Sequence, residues 1–347
     1  MQTKTNVRTV KRVHWIDIAR GIGIILVLYG HLFVSDKYNY LIFAFHMPLF
    51  FFISGLVFKP TAKPLAEITI KYVRQLLIPY YLFAILTYGF ALISQTAGDV
   101  SGGGIAYQLF GILYGNGNNG MLGYNVVLWF LPCLFITKLT FAAITKKVSQ
   151  TKKILAALVT CATIGYLLSL STPWLKLPFS FEIALTGLAF FGAGYLIKTN
   201  KQVFTIFARQ KPLLAITSLL FTIFIATINY HTSGLKIDLR VNHLDNFFLF
   251  YLGAFGGIIS WITVSRLLAK NTILEYIGRH SMVLFAWHNV LITDLKNGIT
   301  TILDHNFLNT IQLLMPTIYA GIAISIILFS RMLVTKLKSV SNLMNLL

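Results

Sequence analysis

Acidic residues are scarce in this chain: ten Asp and Glu stand against 29 Lys and Arg, and charged residues make up only 11% of 347 positions. A water-soluble domain carries roughly a quarter charged residues, so a water-soluble globule is excluded. Cysteine is nearly absent. Cys133 and Cys161 lie in separate apolar runs without CxxC spacing, which provides neither a disulfide framework nor a metal site. No short repeat runs through a sequence dominated by apolar residues, so fibrous and disordered classes fall away. Strand-like alternation is missing too, which removes a transmembrane β-barrel.

What is present is hydrophobic length. Apolar residues form 56% of the chain and the mean hydropathy is +0.73. Runs of spanning or near-spanning length fall at about 18–35, 39–58, 76–96, 125–144, 154–171, 181–197, 213–229, 245–264, 281–295 and 311–335. They predict an all-α, polytopic integral membrane protein of about ten helices, the shorter runs borrowing a flanking turn. The least regular is 281–295, interrupted by Trp287, His288, Asn289 and Asp294. A single membrane domain is expected over 1–347, with a terminal segment 1–14, a ten-helix core 15–335 and a tail 336–347. The basic start (Lys4, Arg8, Lys11, Arg12) resembles a signal peptide, but the apolar run after it holds Arg20 and His31 and no small-residue cleavage site. It is read as a retained first helix.

Charge placement orients these helices. With the N-terminus inside, 24 basic residues and three acids fall on the cytoplasmic side, and five basic residues (Lys37, Lys176, Lys236, Arg240, Lys296) and seven acids on the other. The formal +19 is thus +21 on one face and −2 on the other. Both termini are expected in the cytoplasm. The basic excess is then topology and no sign of a nucleic-acid partner.

The longest loops fall around 97–124 and 296–310. The first is glycine-rich and free of Lys and Arg, and reads either as a flexible connector or as a segment around Tyr107-Gln108-Leu109-Phe110 that enters the interface or covers a cavity. Its triple glycine lacks the Lys-Ser/Thr of a phosphate loop.

Ionisable groups inside a bilayer are costly and mark sites. The first helix holds Asp17, Arg20 and His31. Asp17 and Arg20 are neighbours on one face. Arg20 and His31, eleven residues apart, share a face at about 16 Å separation. His46 falls at a depth near His31 on the next, antiparallel segment, and His288 lies within segment nine. Each has a structural alternative. His46 can serve carbonyls freed by Pro48, Arg20 can anchor its helix by snorkelling, and a lone intramembrane His can simply join helices. Glu182 and Asp245 read as solvated charges at helix starts.

The run from Trp15 through Asp17, Arg20 and Gly30 to His31, followed by Phe45–Gly55, resembles the acyltransferase-3 family, integral membrane enzymes that O-acetylate cell-surface carbohydrates and related acceptors. The family signature of Arg or Lys, ten residues, then His is met by Arg20 and His31. Further matches are Lys71, Arg74 and Pro79 at the third helix, Leu128-Trp129-Phe130-Leu131 at the fourth, and Gly278-Arg279-His280-Ser281 leading to His288. The chain ends shortly after helix ten and so resembles the stand-alone form without an SGNH esterase-like domain, closest to sugar O-acetylase-like members.

The resemblance implies acetyl-CoA (or another acyl-CoA) as a donor consumed in the reaction, with no permanently bound cofactor and no metal. It implies a carbohydrate acceptor at the outer face of a bacterial cytoplasmic membrane, with the lipid bilayer as surroundings. His31 is then the catalytic residue, acting as general base or as nucleophile. Arg20 holds or orients the donor, and His46 orients His31 or binds the acceptor. Lys71 and Arg74 are candidates for the donor phosphates, unless they merely express the positive-inside bias. Asp17, Trp129 and His288 are additional site candidates. Outer tyrosines Tyr38, Tyr40, Tyr107, Tyr114 and Tyr124 are candidates for stacking on sugar rings. The competing reading is a transporter or flippase with His and Arg along its path. The absence of an obvious repeat between the two halves and the concentration of polar groups in the first two helices disfavour it.

Overall fold

A computed structural model describes residues 13–32, 36–93, 104–118, 120–171, 176–200, 202, 204, 211–302 and 314–344. Lys4, Arg8, Lys11 and Arg12 lie outside the described residues. The described chain is helical, with one isolated bridge between Asp238 and His243. The helices are α1 His14–Leu32, α2 Asp36–Phe43, α3 His46–Leu56, α4 Leu65–Tyr72, α5 Ile78–Ile93, α6 Gly104–Tyr114 and α7 Phe130–Lys147. They continue with α8 Thr151–Ser171, α9 Phe181–Thr199, α10 Pro212–Ser233, α11 Phe247–Leu267, α12 Thr272–Arg279, α13 Ser281–Ile302 and α14 Met315–Met344.

Among the described residues, nine helices are long and apolar enough to cross a membrane. They correspond to nine of the ten expected segments. The tenth, 281–295, forms the shorter apolar stretch Ser281–Leu295 of α13. Three departures have physical reasons. The second segment is broken at Ala44 and Phe45, so α2 and α3 meet at a turn just before Pro48, whose missing N–H is tolerated in the first turn of α3. The third begins earlier than its apolar run: amphipathic α4 carries Lys71 and joins α5 through the π-helical turn Val73–Leu77, which contains Arg74. The loop expected at 97–124 contains α6, whose Gln108 is buried and donates to the Gly120 carbonyl at 3.1 Å.

Local signals set several ends. Pro212 starts α10, and Gly234, at φ 73°, ends it in the left-handed conformation that glycine adopts without a Cβ penalty. Asn246 and Asn271 cap α11 and α12 through their side-chain oxygens.

α1 is a central helix, packing against α2, α3, α11, α12, α13 and α14. Its apolar window is 61% buried, against 22% for α8, which lies at the periphery. The approach of α1 to α12 is backbone to backbone, because a Cβ at Gly278 would collide with the Asp17 carbonyl, and one at Gly21 with the Leu274 carbonyl. Phe51 and Phe285 each meet Phe130 edge-on, at 5.1 and 5.7 Å between ring centres, joining α3, α7 and α13 beneath the His31 end of α1.

Candidate active site

Three histidines from three helices converge where α1 ends. His31 and His46 line a cavity with about 450 Å³ of empty space, together with Trp129, Asp238, Arg240 and Phe285. The His288 ring lies 5.2 Å from that of His31, tilted by 54°. His46 follows the α2–α3 break, and its Nδ1 donates to the Ile42 carbonyl at 2.8 Å. It therefore does serve a carbonyl at the break while also facing the cavity. His288 is fully buried, its Nδ1 donating to the carbonyls of Phe285 at 2.8 Å and Leu284 at 3.1 Å. A carbonyl only accepts, so in each neutral ring Nδ1 carries the hydrogen and Nε2 the lone pair. The buried Nε2 of His288 has no hydrogen-bond partner among the described residues. His31 thus stands beside two imidazoles that each present an acceptor nitrogen.

A polar cap covers this end. Asp238 caps the short helical turn Leu239–Val241 by accepting from the Arg240 N–H. The Arg240 guanidinium meets Asp238 at 3.2 Å and donates to the Gly117 carbonyl at 3.1 Å. Asn118 donates to the Arg240 carbonyl at 2.8 Å, and Asn116 donates to Glu182 at 3.1 Å. The glycine-rich segment is thus fastened at Gly117 and Asn118 to the turn that carries Arg240.

Glu182 and Asp245 depart from the expected solvated charges. Glu182 is 2% exposed and accepts from Asn116 and from the Leu177 N–H; the Asp245 side chain is buried and pairs with His243 at 3.1 Å. Both sit where loops fold back onto helix starts, so protein donors replace water. Neighbouring Lys176 is pushed below its usual pKa by burial, which the Glu182 charge opposes.

The other candidates gather at the far end of α1. Asp17 is buried, 3.2 Å from Arg20 and 3.9 Å from Arg279. Arg279 also pairs with Glu275, which His14 contacts at 2.8 Å. Arg20 lines a cavity of about 1050 Å³ of empty space with Asp17, Lys59, Lys198 and Trp15. Arg20 and Lys71 both act electrostatically on Lys138, and Lys71 and Lys138 flank the Tyr72 ring at 5.9 and 5.2 Å. Arg74 is exposed on the π-helical turn, a local geometry frequent at functional sites.

The structure thus brings His31, His46, Trp129 and His288 together and places Arg20, Asp17 and Lys71 elsewhere. Of the outer tyrosines offered for sugar stacking, Tyr40, Tyr107, Tyr114 and Tyr124 are not among the residues lining the His31 cavity, and the side chain of Tyr38 lies outside the described residues. Tyr40 is instead stacked on Tyr230 at 4.7 Å, and Tyr114 donates to the Lys176 carbonyl at 2.6 Å. The sequence reading missed Asp238 and Arg240. Their signal was Lys236, Asp238 and Arg240 within five residues on a face otherwise poor in basic groups. Among the described residues no group of three or more His, Cys, Asp or Glu is arranged to hold a metal ion.

The acyltransferase-3 family model, an acyltransferase domain, matches residues 13–334. No curated protein and no solved structure matches the chain.

Proposed function

The chain belongs to the acyltransferase-3 family and is a membrane acyltransferase, and from this premise we propose that it is an O-acetyltransferase. In this reading it moves an acetyl group from cytosolic acetyl-CoA to a hydroxyl of a cell-surface polysaccharide or its lipid-linked precursor, in a bacterial cytoplasmic membrane. The observation that carries the reading is the placement of His31 against His288 and His46, at the opposite end of α1 from the Arg20 cluster.

The basic end, with both termini, faces the cytosol by the charge rule. There Arg20, Lys71 and Arg74 hold the phosphates of the donor, since guanidinium and ammonium groups form strong charge-assisted hydrogen bonds with phosphate. His31 lies about 16 Å further along α1, a span that the pantetheine arm of the donor covers. As general base, His31 takes the proton of the acceptor hydroxyl while that oxygen attacks the thioester carbonyl carbon. The carbon–sulfur bond then breaks, and the CoA thiolate leaves and is reprotonated by the imidazolium. As nucleophile, His31 first accepts the acetyl group and passes it to the hydroxyl, with the same net balance. In either route the unpartnered Nε2 lone pair of His288, in the ring beside His31, accepts a hydrogen bond from the His31 ring as positive charge develops there. His46 orients the acceptor.

The test is thiol release from acetyl-CoA by purified protein, with and without candidate glycans. His31→Ala is expected to lower transfer by about 10²–10⁴-fold while the protein stays folded; undiminished turnover in that variant overturns the assignment. Radiolabelled acetyl retained on the protein after a donor-only pulse, and absent from His31→Ala, selects the nucleophilic route.

A further inference from the structure

Lys138 lies well inside a membrane-spanning helix. At 1.5 Å per residue it stands about 14 Å from the end of α7 at Lys147. The positive-inside rule accounts for cations at helix ends, but a cation this far inside is costly and needs a cause of its own. Snorkelling toward lipid is not that cause. The half-buried side chain turns into the protein, and its ammonium lies 5.2 Å from the centre of the buried Tyr72 ring of α4. Lys71 meets the same ring at 5.9 Å. Arg20 and Lys71, both cations, act electrostatically on Lys138.

The carboxylates of this end are engaged elsewhere. By the charge rule only Asp17, Glu67 and Glu275 belong to the basic face. Asp17 is held by Arg20 and Arg279, Glu67 by Lys63 at 2.8 Å, and Glu275 by Arg279 and His14. Among the described residues, then, Lys71 and Lys138 are gathered by an aromatic ring and not by an acid.

A cavity opens beside this pair. It has about 740 Å³ of empty space, within the usual range of about 300–1,000 Å³ for ligand pockets, and it lies between α4 (Ile68, Tyr72), α7 (Ala142, Thr145, Lys146) and the chain joining α3 to α4. Positions 138, 142, 145 and 146 fall on one stripe of α7, so the cavity continues from Lys138 toward the basic end, with Tyr72 as a shared wall. Its chemistry is mixed. Phe58, Ile68 and Ala142 are buried and apolar. The Thr61 hydroxyl accepts the Lys63 N–H at 3.3 Å and keeps its own hydrogen to donate. The Thr145 hydroxyl donates to the Phe141 carbonyl at 3.0 Å, which leaves its oxygen to accept. Lys146 is exposed at the far end. The cavity lined by Arg20, by contrast, includes the carboxylate of Asp17, which repels a phosphate.

We propose that the α4–α7 cavity binds the nucleotide end of the acyl donor, an adenosine carrying a 5′-diphosphate and a 3′-phosphate. Lys71 and Lys138 hold the diphosphate, Lys146 holds the 3′-phosphate, and the adenosine lies against the apolar wall with Thr61 and Thr145 as hydrogen-bond partners. Arg20, beside Lys138 and on the His31 face of α1, leads from the diphosphate toward the acyl-transfer centre. The inference rests on the acyl-CoA reading of the donor and deepens it by naming the cavity and adding Lys138 and Lys146.

The test is calorimetric binding of CoA, dephospho-CoA and adenosine 3′,5′-bisphosphate to the full-length protein in phosphatidylcholine nanodiscs, with thiol release from acetyl-CoA measured in parallel. Lys138→Gln should weaken CoA by about tenfold or more, the order of a lost charge-assisted contact, and Lys138→Arg should stay within about threefold of wild type. Thr145→Trp fills the cavity while keeping Lys138, and should weaken CoA and adenosine 3′,5′-bisphosphate alike; it serves also if the Lys138 variants fail to fold. Wild type should prefer CoA to dephospho-CoA, and Lys146→Ala should bring that ratio close to one. CoA affinity within about twofold of wild type in folded Lys138→Gln and Thr145→Trp overturns the proposal, as does a CoA preference that survives Lys146→Ala. Normal thiol release by those same variants leaves the acyltransferase reading standing and moves the donor to another cavity. Lys138-dependent CoA binding by a wild type that releases no thiol upholds the cavity and counts against the transferase reading instead. Lys138-dependent retention of phosphatidylglycerol with no binding of the nucleotide probes overturns the proposal in favour of a lipid headgroup.

Discussion

Replacing His288 with Phe isolates the proposed hydrogen bond to His31, because it removes both ring nitrogens and keeps an aromatic ring in a fully buried position. The structural loss is modest. The carbonyls of Leu284 and Phe285 that receive Nδ1–H lie within α13, where the helix ladder continues to serve them, so about 1 kcal/mol of stability is at stake. The catalytic loss is larger. As His31 takes a proton it becomes an imidazolium and donates to the unpartnered His288 lone pair in a charge-assisted hydrogen bond, worth about 1.5–3 kcal/mol. At 1.36 kcal/mol per decade, that is a fall in kcat of about 10–150-fold. His288→Gln, which keeps a polar atom near the Nε2 position, should fall between wild type and His288→Phe. The assay is steady-state thiol release at saturating acetyl-CoA, paired with a thermal melt in the same detergent. The KM for acetyl-CoA should stay within about twofold, since the proposed site for the donor phosphates is at the other end of α1. A folded His288→Phe variant with kcat within about twofold of wild type refutes the reasoning.

Three further outcomes follow from the other end of the molecule. Gly278→Ala forces a methyl group against the Asp17 carbonyl and should destabilise the protein by about 1–3 kcal/mol, read as a lowered melting temperature; an unchanged melt contradicts the close approach of α1 and α12. Arg74→Ala should raise the KM for acetyl-CoA about tenfold, the order of one lost charge-assisted contact, and an unchanged donor dependence removes Arg74 from the donor site. Glu275 is held below its ordinary pKa of 4.5 by its hydrogen bond from His14 and then by Arg279, so its contribution to stability is fully present above that value and is lost as pH falls through the lower, folded one. Melting temperatures of wild type and Glu275→Gln should therefore keep a constant gap down to about pH 4.5 and converge below it, and a gap that persists in stronger acid argues against this linkage.

The membrane helices were legible because the length and hydropathy of a run are local properties. Arg20 and His31 were likewise legible as one face of one helix, since eleven residues on α1 close nearly whole turns. The partners of His31 were not. His288 joins it across 257 positions, and Arg240 reaches the cavity from a loop whose fold depends on the carbonyl of Gly117 and the side chain of Asn118. Hydropathy also hid the start of the third span. Lys71 and Arg74 interrupt the apolar run while the helix continues through them, because one side of α4 packs inward at Ile68 and Tyr72. Glu182 looked solvated for a similar reason: one donor that buries it, Asn116, lies 66 positions away, and the other, the Leu177 N–H, reaches it only because Phe179 and Ser180 take positive φ and turn the chain back.

These placements bear on how far the reacting groups can travel. Asp17 is tied to Arg20 and Arg279, and the close contacts of Gly21 and Gly278 leave no slack between α1 and α12. Turning α1 by a single residue, about 100°, would break those contacts and carry His31 away from His288. The helix is thus held in register at one end by ions and backbone contact, and at the other by the packing of rings around His31. On the proposed reading, His31 cannot swing toward the donor site without dismantling the interface that positions Arg20. The distance between the two ends of α1 must then be covered by the flexible arm of the donor, and the rigid part of the reaction is the protein's.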